Sequence, residues 1–170
     1  MNLLYTVDRN RTLEENQMIN LIKYSDVKPS ELQVHIDSLF PDGVTSHGEY
    51  YMLNAKTPAI GINAIIELIF EYVRRSYFPS CPSRFQSVFA FENIAQAFIF
   101  QNKYGKPDSL IWKVESDITF KADMRLLNLH DSLLTLSYNA HRYWNGISID
   151  NNPIWEYLLV PPVKVIHRIY

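Results

Sequence analysis

The pattern of apolar and polar positions predicts one long amphipathic helix near the middle of the chain, over residues 59–76. Its apolar side is formed by Ile62, Ile65, Ile66, Ile69, Phe70 and Val73. Its charged side is formed by Glu67, Glu71, Arg74 and Arg75, with glutamate and arginine three or four residues apart. The prolines of the following segment, 78–82, end the helix. This pattern indicates a scaffold element and no chemistry.

Shorter elements are predicted on both sides of this helix. Strands are predicted over 3–7, 84–91, 109–115, 155–160 and 163–170, and residues 50–53 are predicted to be extended. Further helices are predicted over 29–40, 92–101 and 126–141, with a short helix or turn over 13–22, an ambiguous stretch at 117–129 and a loop at 141–153. Strands and helices mixed in this way within 170 residues predict a single α+β domain, residues 1–170.

Composition and charge narrow the classes of partner. Aromatic residues make up 14% of the chain, which suits a fold rich in β-sheet. The net charge is −2, so the chain as a whole has no basic field that would recruit nucleic acid. A local basic patch stays open.

The chain predicts a soluble cytoplasmic protein without membrane association. The single cysteine, Cys81, cannot form an internal disulfide, which fits a reducing compartment. The N-terminal residues lack the basic and apolar regions of a signal peptide, and no apolar run reaches about 18 residues.

Several common kinds of site are not predicted. The five histidines show no spacing that favours chelation, so no metal site is expected. Cys81 lies near two prolines and has no adjacent base that would activate it as a nucleophile. The glycine-rich and nucleophile-elbow motifs of nucleotide-binding proteins and hydrolases are missing from the sequence.

Three separate segments carry the remaining candidate chemistry. The first is Tyr5 and Thr6 with the loop residue Arg9, the second is the segment 84–91, and the third is Glu156 at the start of a predicted strand. Each has an ordinary explanation by itself, since a loop arginine is usually solvated and a glutamate at a strand start usually lies at the surface.

Their order along the chain resembles the ADP-ribosyltransferase superfamily. In that superfamily a first strand with a polar residue is followed by a strand leading into an alanine-containing helix, and a glutamate opens a strand near the C-terminus. The similar sequences here are SVFAFENIAQAF, LIWKVE and EYLLVPPVKVI. The segments SHGE, FEYVRR, PSRFQSVFAFE and YWNG further resemble a little-characterised bacterial and phage-borne branch. The resemblance covers most of the chain through short motifs.

The resemblance implies a fold and an activity. The fold would be an ADP-ribosyltransferase-like split β-sandwich with flanking helices. The activity would be mono-ADP-ribosyl transfer, in which NAD is a substrate, nicotinamide is released and ADP-ribose passes to a macromolecule. The biological setting would be a toxin, a phage-defence protein or a phage effector. An antitoxin or other inhibitory partner is a further expectation.

The resemblance also implies residue roles. Glu156 would be the catalytic carboxylate that stabilises positive charge on the ribose during cleavage. Residues expected to bind NAD are Tyr5, Thr6, Arg9, Arg84, Ser87 and Phe89. Within this set, Arg84 and Arg9 would bind the pyrophosphate, Ser87 would contact the ribose or support Glu156, and Phe89 or Tyr5 would stack on nicotinamide.

Two departures from the family pattern bear on the acceptor and on activity. Thr6 stands where many members have histidine. This difference favours two alternatives: a non-catalytic interaction module, or a changed mode of NAD binding. Ile154 stands where arginine-modifying members carry glutamate or glutamine, so arginine is disfavoured as the acceptor. Nucleic acid is slightly preferred over protein, and an NAD glycohydrolase is a further alternative.

The segment 141–153 would face the acceptor. Arg142, Tyr143 and Trp144 combine a positive charge with aromatic surfaces that suit exposed bases. The alternative is that Tyr143 and Trp144 anchor a long loop to the core.

Overall fold

The computed structural model describes residues 2–54, 58–117, 119–129 and 132–169. The strands are β1 Asn2–Asp8, β2 Met18–Ile19, β3 Val88–Ala90, β4 Leu110–Ser116, β5 Thr119–Asp123, β6 Trp155–Leu159 and β7 Val163–Arg168. The helices are α1 Ser30–Leu39, α2 Ser46–Met52, α3 Pro58–Tyr77, α4 Ile94–Tyr104 and α5 Leu133–Trp144. Two single 3₁₀ turns lie at Arg84–Gln86 and Met124–Leu126. This mixture of elements confirms the predicted α+β class.

The strands form two antiparallel sheets. One has the order β1-β4-β7-β2 and the other has the order β3-β6-β5. The backbones of Tyr5 and Phe91 exchange two hydrogen bonds of 2.9 and 2.8 Å, which join the two sheets at one point. Between them lies a shared core that includes Leu4, Ala90 and Leu159.

Helices α3 and α5 cover the other face of the smaller sheet. Ile66 and Phe70 of α3 and Leu136 of α5 pack there against Leu158 of β6. Side chains alternate between the faces of a strand, so Glu156 lies on the same helix-covered face as Leu158. The site described below is therefore built between this sheet and its two helices.

The long helix is confirmed, but the predicted assignment of its faces is wrong. Ile62 and Ile65 are 58% and 50% exposed, whereas Glu67 and Glu71 are buried. The two glutamates bind partners that come from other parts of the chain, and those bonds offset the cost of burying their charge. The predicted helix at 29–40 is confirmed as α1.

Three local predictions are corrected. Residues 50–53, predicted as extended, belong largely to helix α2, and the turn or helix predicted over 13–22 contains the short strand β2. The predicted strand 84–91 begins instead with a 3₁₀ turn, and only Val88–Ala90 is extended as β3. Ser83 Oγ accepts the Phe85 N–H at 3.2 Å, which favours the turn over extended pairing.

The predicted boundary between helix and loop near residue 141 is also wrong. Helix α5 begins at Leu133, where the Ser132 side chain caps it by accepting the Thr135 N–H at 3.1 Å. It continues to Trp144, so the loop before β6 is confined to residues 145–154. Among the described residues, no helix is long and apolar enough to cross a membrane.

Candidate functional site

A buried arginine joins three distant segments of the chain. The Arg84 side chain forms a bidentate ion pair with Glu67 of α3, in which Nε lies 2.7 Å from Oε2 and Nη2 lies 3.0 Å from Oε1. Its Nη1 donates to Glu156 Oε1 of β6 at 2.5 Å. Arg84 and Glu156 are each 4% exposed. The guanidinium therefore connects α3, the 3₁₀ turn and the start of β6.

Tyr143 of α5 completes this network. Its hydroxyl donates to Glu156 Oε1 at 2.7 Å, and Arg84 Nη1 also contacts the Tyr143 oxygen. Both donors to the Glu156 carboxylate therefore converge on one oxygen atom. No side chain or backbone group of the described residues donates to Oε2.

The network keeps its charges in a site with little access to water. Burial alone would raise the pKa of Glu67, but its interactions with Arg84 and His47 outweigh burial and hold that pKa well below its usual range. Burial would lower the pKa of Arg84, yet Glu156 and Glu67 raise it well above its usual value. Arg84 therefore stays charged between the carboxyl groups of Glu67 and Glu156.

Tyr143 stays protonated for the same physical reasons. Burial raises the pKa of its hydroxyl well above the usual value, and the neighbouring Glu156 carboxylate adds to this effect against the opposing charge of Arg84. A protonated phenol is a hydrogen-bond donor, which agrees with its bond to Glu156 Oε1.

Aromatic rings border the network on the side of β3 and α2. The Arg84 Cζ atom lies 4.5 Å from the centre of the Phe89 ring, and the His47 ring lies 4.6 Å from Phe89 and 4.9 Å from Tyr51. His47 Nε2 lies 3.3 Å from Glu67 Oε1, although its geometry does not meet that of a hydrogen bond. These rings give the site one apolar, cation-compatible side.

A second buried glutamate supports the turn that carries Arg84. Glu71, one helical turn after Glu67, accepts the Ser83 hydroxyl at 2.8 Å through Oε2. Its Oε1 lies 2.7 Å from Arg75 Nε and 2.8 Å from Arg74 Nη2. Successive turns of α3 thus bind the successive residues Ser83 and Arg84, which fixes the turn against the helix.

The structure brings some of the predicted site residues together and corrects their roles. Glu156, Arg84 and Phe89 form one cluster. Arg84 was expected to bind the pyrophosphate, but it is buried and its guanidinium already binds two carboxylates. Glu156 was expected at the surface, as is usual for a strand start, yet it is buried and hydrogen-bonded to Arg84 and Tyr143.

The side chains of the other predicted residues do not take part in this cluster. The Thr6 hydroxyl donates to the Phe89 carbonyl at 2.7 Å, and the Ser87 hydroxyl donates to the Ser83 carbonyl at 2.7 Å, so both hydroxyls support backbone segments. The Tyr5 side chain packs with Phe91 in a separate apolar cluster. Arg9 follows β1 and is exposed.

The expected acceptor-facing aromatics are core residues. Tyr143 and Trp144 are buried at the end of α5, and Trp144 Nε1 donates to the Phe70 carbonyl at 2.9 Å. Arg142 is half-buried, and its guanidinium donates to the Ser148 carbonyl. The anchoring interpretation of Tyr143 and Trp144 therefore replaces the prediction that they stack on an acceptor.

A groove of about 370 Å³ lies between α1, α2 and α3, beside the network and not over it. Its lining includes Leu39, Phe40, Tyr51, Leu68, Tyr72 and Arg75. Tyr51 borders both the groove and His47. The described ranges contain no group of three or more His, Cys, Asp or Glu residues that could hold a metal ion.

Comparison with known families adds an affiliation without an activity. A family described as a protein of unknown function, DUF2441, matches residues 4–170. The chain belongs to the DUF2441 family. No curated protein matches it. The matched range contains every residue of the network, from Glu67 to Glu156.

Sequence reasoning missed Glu67, a member of the network in this DUF2441 chain, and His47, which borders the network. Glu67 was assigned to the charged side of the long helix, and no role was assigned to His47. A signal for Glu67 existed, because it lies three residues before the core residue Phe70 and directly after the core residue Ile66. The sequence carried no comparable signal for His47.

Proposed function

We propose that the protein transfers ADP-ribose from NAD to a macromolecular acceptor, with Glu156 as the carboxylate that stabilises the reacting ribose. The observation that carries this proposal is the Glu156 carboxylate itself. It is fixed at the start of β6 through Oε1 by Arg84 and Tyr143, while Oε2 receives no donor from the described residues. A fixed carboxylate with one uncommitted oxygen suits the stabilisation of a developing positive charge.

The reaction breaks the bond between the ribose C1′ atom and the nicotinamide nitrogen. Nicotinamide leaves with the bonding electron pair and becomes neutral, while positive charge develops on the ribose. Glu156 lowers the energy of that charge and accepts hydrogen bonds from the ribose hydroxyls. A nucleophilic oxygen or nitrogen of the acceptor then bonds to C1′ and loses its proton to solvent.

The arrangement of the neighbouring residues supports a revised set of roles. Phe89 adjoins Arg84 and is the candidate to stack on the nicotinamide ring. Arg9 is exposed and becomes the pyrophosphate candidate, because Arg84 is already engaged by two carboxylates. Thr6 and Ser87 act through the backbone segments that they support. The two antiparallel sheets with outer helices are compatible with a split β-sandwich.

The acceptor in this proposal is a nucleic acid or a protein. The burial of Tyr143 and Trp144 removes the observation that had favoured nucleic acid. The roles of toxin, phage-defence protein or phage effector, and an inhibitory partner, are part of the same proposal and are supported by the sequence resemblance.

One observation favours a second candidate, a non-catalytic interaction module. Glu156 is 4% exposed and forms an ion pair with Arg84, which is also how a purely structural carboxylate would look. In the enzyme proposal, the Glu156 carboxylate must become accessible before the ribose reaches it. An NAD glycohydrolase is the third candidate, in which water takes the place of the acceptor.

The test is release of labelled nicotinamide from NAD in the presence of cell lysate. We expect release by the wild type and a loss of at least about 100-fold in Glu156→Gln, since one preorganised charge contributes that much in other enzymes. Glu115→Gln is the matched control, because Glu115 is a half-buried strand glutamate of β4, outside the network. We expect it to retain the wild-type rate.

A second experiment uses NAD labelled in its adenylate part, and the fraction that takes up this label separates the candidates. Label in protein or nucleic-acid fractions supports transfer, whereas label in free ADP-ribose alone identifies a glycohydrolase. A wild-type protein that releases no nicotinamide would refute both enzyme candidates and favour the interaction module.

A further inference from the structure

We propose that Tyr143 is a positioning residue for Glu156, and that the two groups bound to Oε1 orient the carboxylate so that Oε2 meets the ribose. This inference rests on the proposed function and extends it to the choice of oxygen. It gives Tyr143 a role that acts through Glu156 and involves no contact with NAD.

Two hydrogen-bond donors converge on one oxygen of the Glu156 carboxylate. Tyr143 donates to Oε1 at 2.7 Å and Arg84 Nη1 donates to the same atom at 2.5 Å. A carboxylate that is bound through a single oxygen by two donors is restrained in rotation, and its second oxygen keeps its capacity to accept hydrogen bonds. Oε2 is therefore the oxygen available to a substrate.

Packing holds the Tyr143 ring rigidly in place. The ring is fully buried and packs edge-to-face on Phe70 at 5.3 Å and on Trp144 at 4.8 Å between ring centres. Phe120 of β5 lies 6.3 Å from it on the side of the sheet. The hydroxyl is thus held by packing from α3, α5 and β5, so its position does not depend on Glu156.

Arg84 is less suited than Tyr143 to position Glu156, because it also binds Glu67. Its guanidinium binds Glu67 through Nε and Nη2, so its place is set by α3, and its charge is divided between two carboxylates. The neutral Tyr143 hydroxyl is a donor to Glu156 that adds direction without adding charge. Loss of this hydroxyl would leave the carboxylate held by one donor and free to turn about it.

The test is Tyr143→Phe, which removes one oxygen atom and keeps the packed ring. We expect kcat for nicotinamide release to fall about 10- to 100-fold, because a small misplacement of a catalytic group costs rates of this order. We expect the KM for NAD to stay within about twofold of the wild type, because the effect arises in the transition state. Tyr143→4-aminophenylalanine, which restores a donor at the same place, should recover most of kcat.

Tyr157→Phe is the matched control. Tyr157 is the next residue along β6, its side chain lies on the opposite face of the sheet, and its hydroxyl donates to Glu92 at 3.0 Å. Its loss should leave kcat and KM unchanged. An unchanged kcat in Tyr143→Phe, or a rise in KM alone, would overturn the inference while leaving ADP-ribosyl transfer standing.

A crystal structure of Tyr143→Phe tests the inference without any activity. We expect the Glu156 carboxylate to rotate away from its wild-type orientation or to adopt two conformers. A carboxylate that keeps its orientation refutes the positioning role, whatever the kinetics show. A wild-type protein that releases no nicotinamide refutes the proposed function, and the crystal structure then decides separately whether Tyr143 orients Glu156.

Discussion

Arg84 joins parts of the chain that lie 17 and 72 residues away in the sequence. Its removal would leave the Glu67 and Glu156 carboxylates buried with no guanidinium between them. Breaking a buried ion pair by deleting one partner usually costs about 3–5 kcal/mol, since the other charge stays desolvated. The residue is therefore needed for the fold before it can serve any chemistry.

We predict that Arg84→Met lowers the free energy of unfolding by about 3–5 kcal/mol, as measured by urea denaturation. Arg11→Met is the control, because the Arg11–Asp108 ion pair is 3.5 Å long with both side chains more than half exposed. That variant should change stability by less than about 1 kcal/mol. Equal effects of the two substitutions would contradict the structural role given to the network.

The sequence identified Arg84 and Glu156 but not the bond between them. Both residues were selected because the order of their segments along the chain resembles the ADP-ribosyltransferase superfamily. Their pairing arises when β6 and the 3₁₀ turn meet beneath α3, which depends on contacts between distant parts of the chain. A helical pattern by itself also assigns Glu67 to solvent, because it contains no information about a partner 17 residues away.

At the level of elements, α2 packs closely on the 3₁₀ turn that carries Arg84. Gly48 of α2 is buried, and a Cβ atom added there would lie 2.3 Å from the Phe85 carbonyl oxygen and 2.7 Å from Val44 Cβ. The Thr45 hydroxyl, just before α2, donates to the carbonyls of Phe85 and Ser87 at 3.2 and 3.1 Å. This close approach aligns the turn with the network.

We predict that Gly48→Ala destabilises the protein by about 1–3 kcal/mol, because the backbone of the turn must shift to admit a methyl group. Gly61→Ala is the matched control, since a Cβ atom at Gly61 in α3 meets nothing within 4 Å. Alanine should stabilise that helix by up to about 1 kcal/mol. Thermal and urea unfolding of both variants measure the difference, and a neutral Gly48→Ala would contradict the close packing.

The elements that sequence reasoning predicted best are those with a long periodic pattern. The 20 residues of α3 repeat their apolar positions over several turns, whereas α2 has only seven residues and too little length to show a period. The turn at 84–86 was assigned to a strand because Phe85, Val88 and Phe89 favour strands by type. Hydrogen bonds to Ser83 and Thr45, which composition does not reveal, override that preference.

At the scale of the whole molecule, two apolar cores lie on the two faces of the smaller sheet, and charged groups are buried at the edge of one of them. Two of these carboxylates have folded-state pKa values below the usual range. Burial alone would raise the pKa of Asp123, but its hydrogen bonds with Arg125 and with the Ile154 and Ile149 N–H groups lower it. Arg84 and His47 lower the pKa of Glu67, although burial alone would raise it. Folding stability is thereby linked to pH.

We predict that the free energy of unfolding falls as the pH drops below the usual glutamate pKa of 4.5. A depressed folded-state pKa means that the unfolded chain binds protons first, so the stabilisation is complete above 4.5 and is lost as the pH approaches the folded-state value. Each such carboxylate contributes a slope of at most about 1.4 kcal/mol per pH unit. Urea unfolding between about pH 7 and pH 3 measures the slope.

Glu67→Gln separates the network from the other carboxylates of the molecule. The variant should be less stable at neutral pH, because Arg84 loses a charged partner, and its stability should fall less steeply in acid, because glutamine does not titrate. Glu115→Gln, outside the network, should keep the wild-type slope. If Glu67→Gln also kept that slope, the pKa of Glu67 would be the same in the folded and unfolded protein. The stabilising ion pair between Glu67 and Arg84 would then be contradicted.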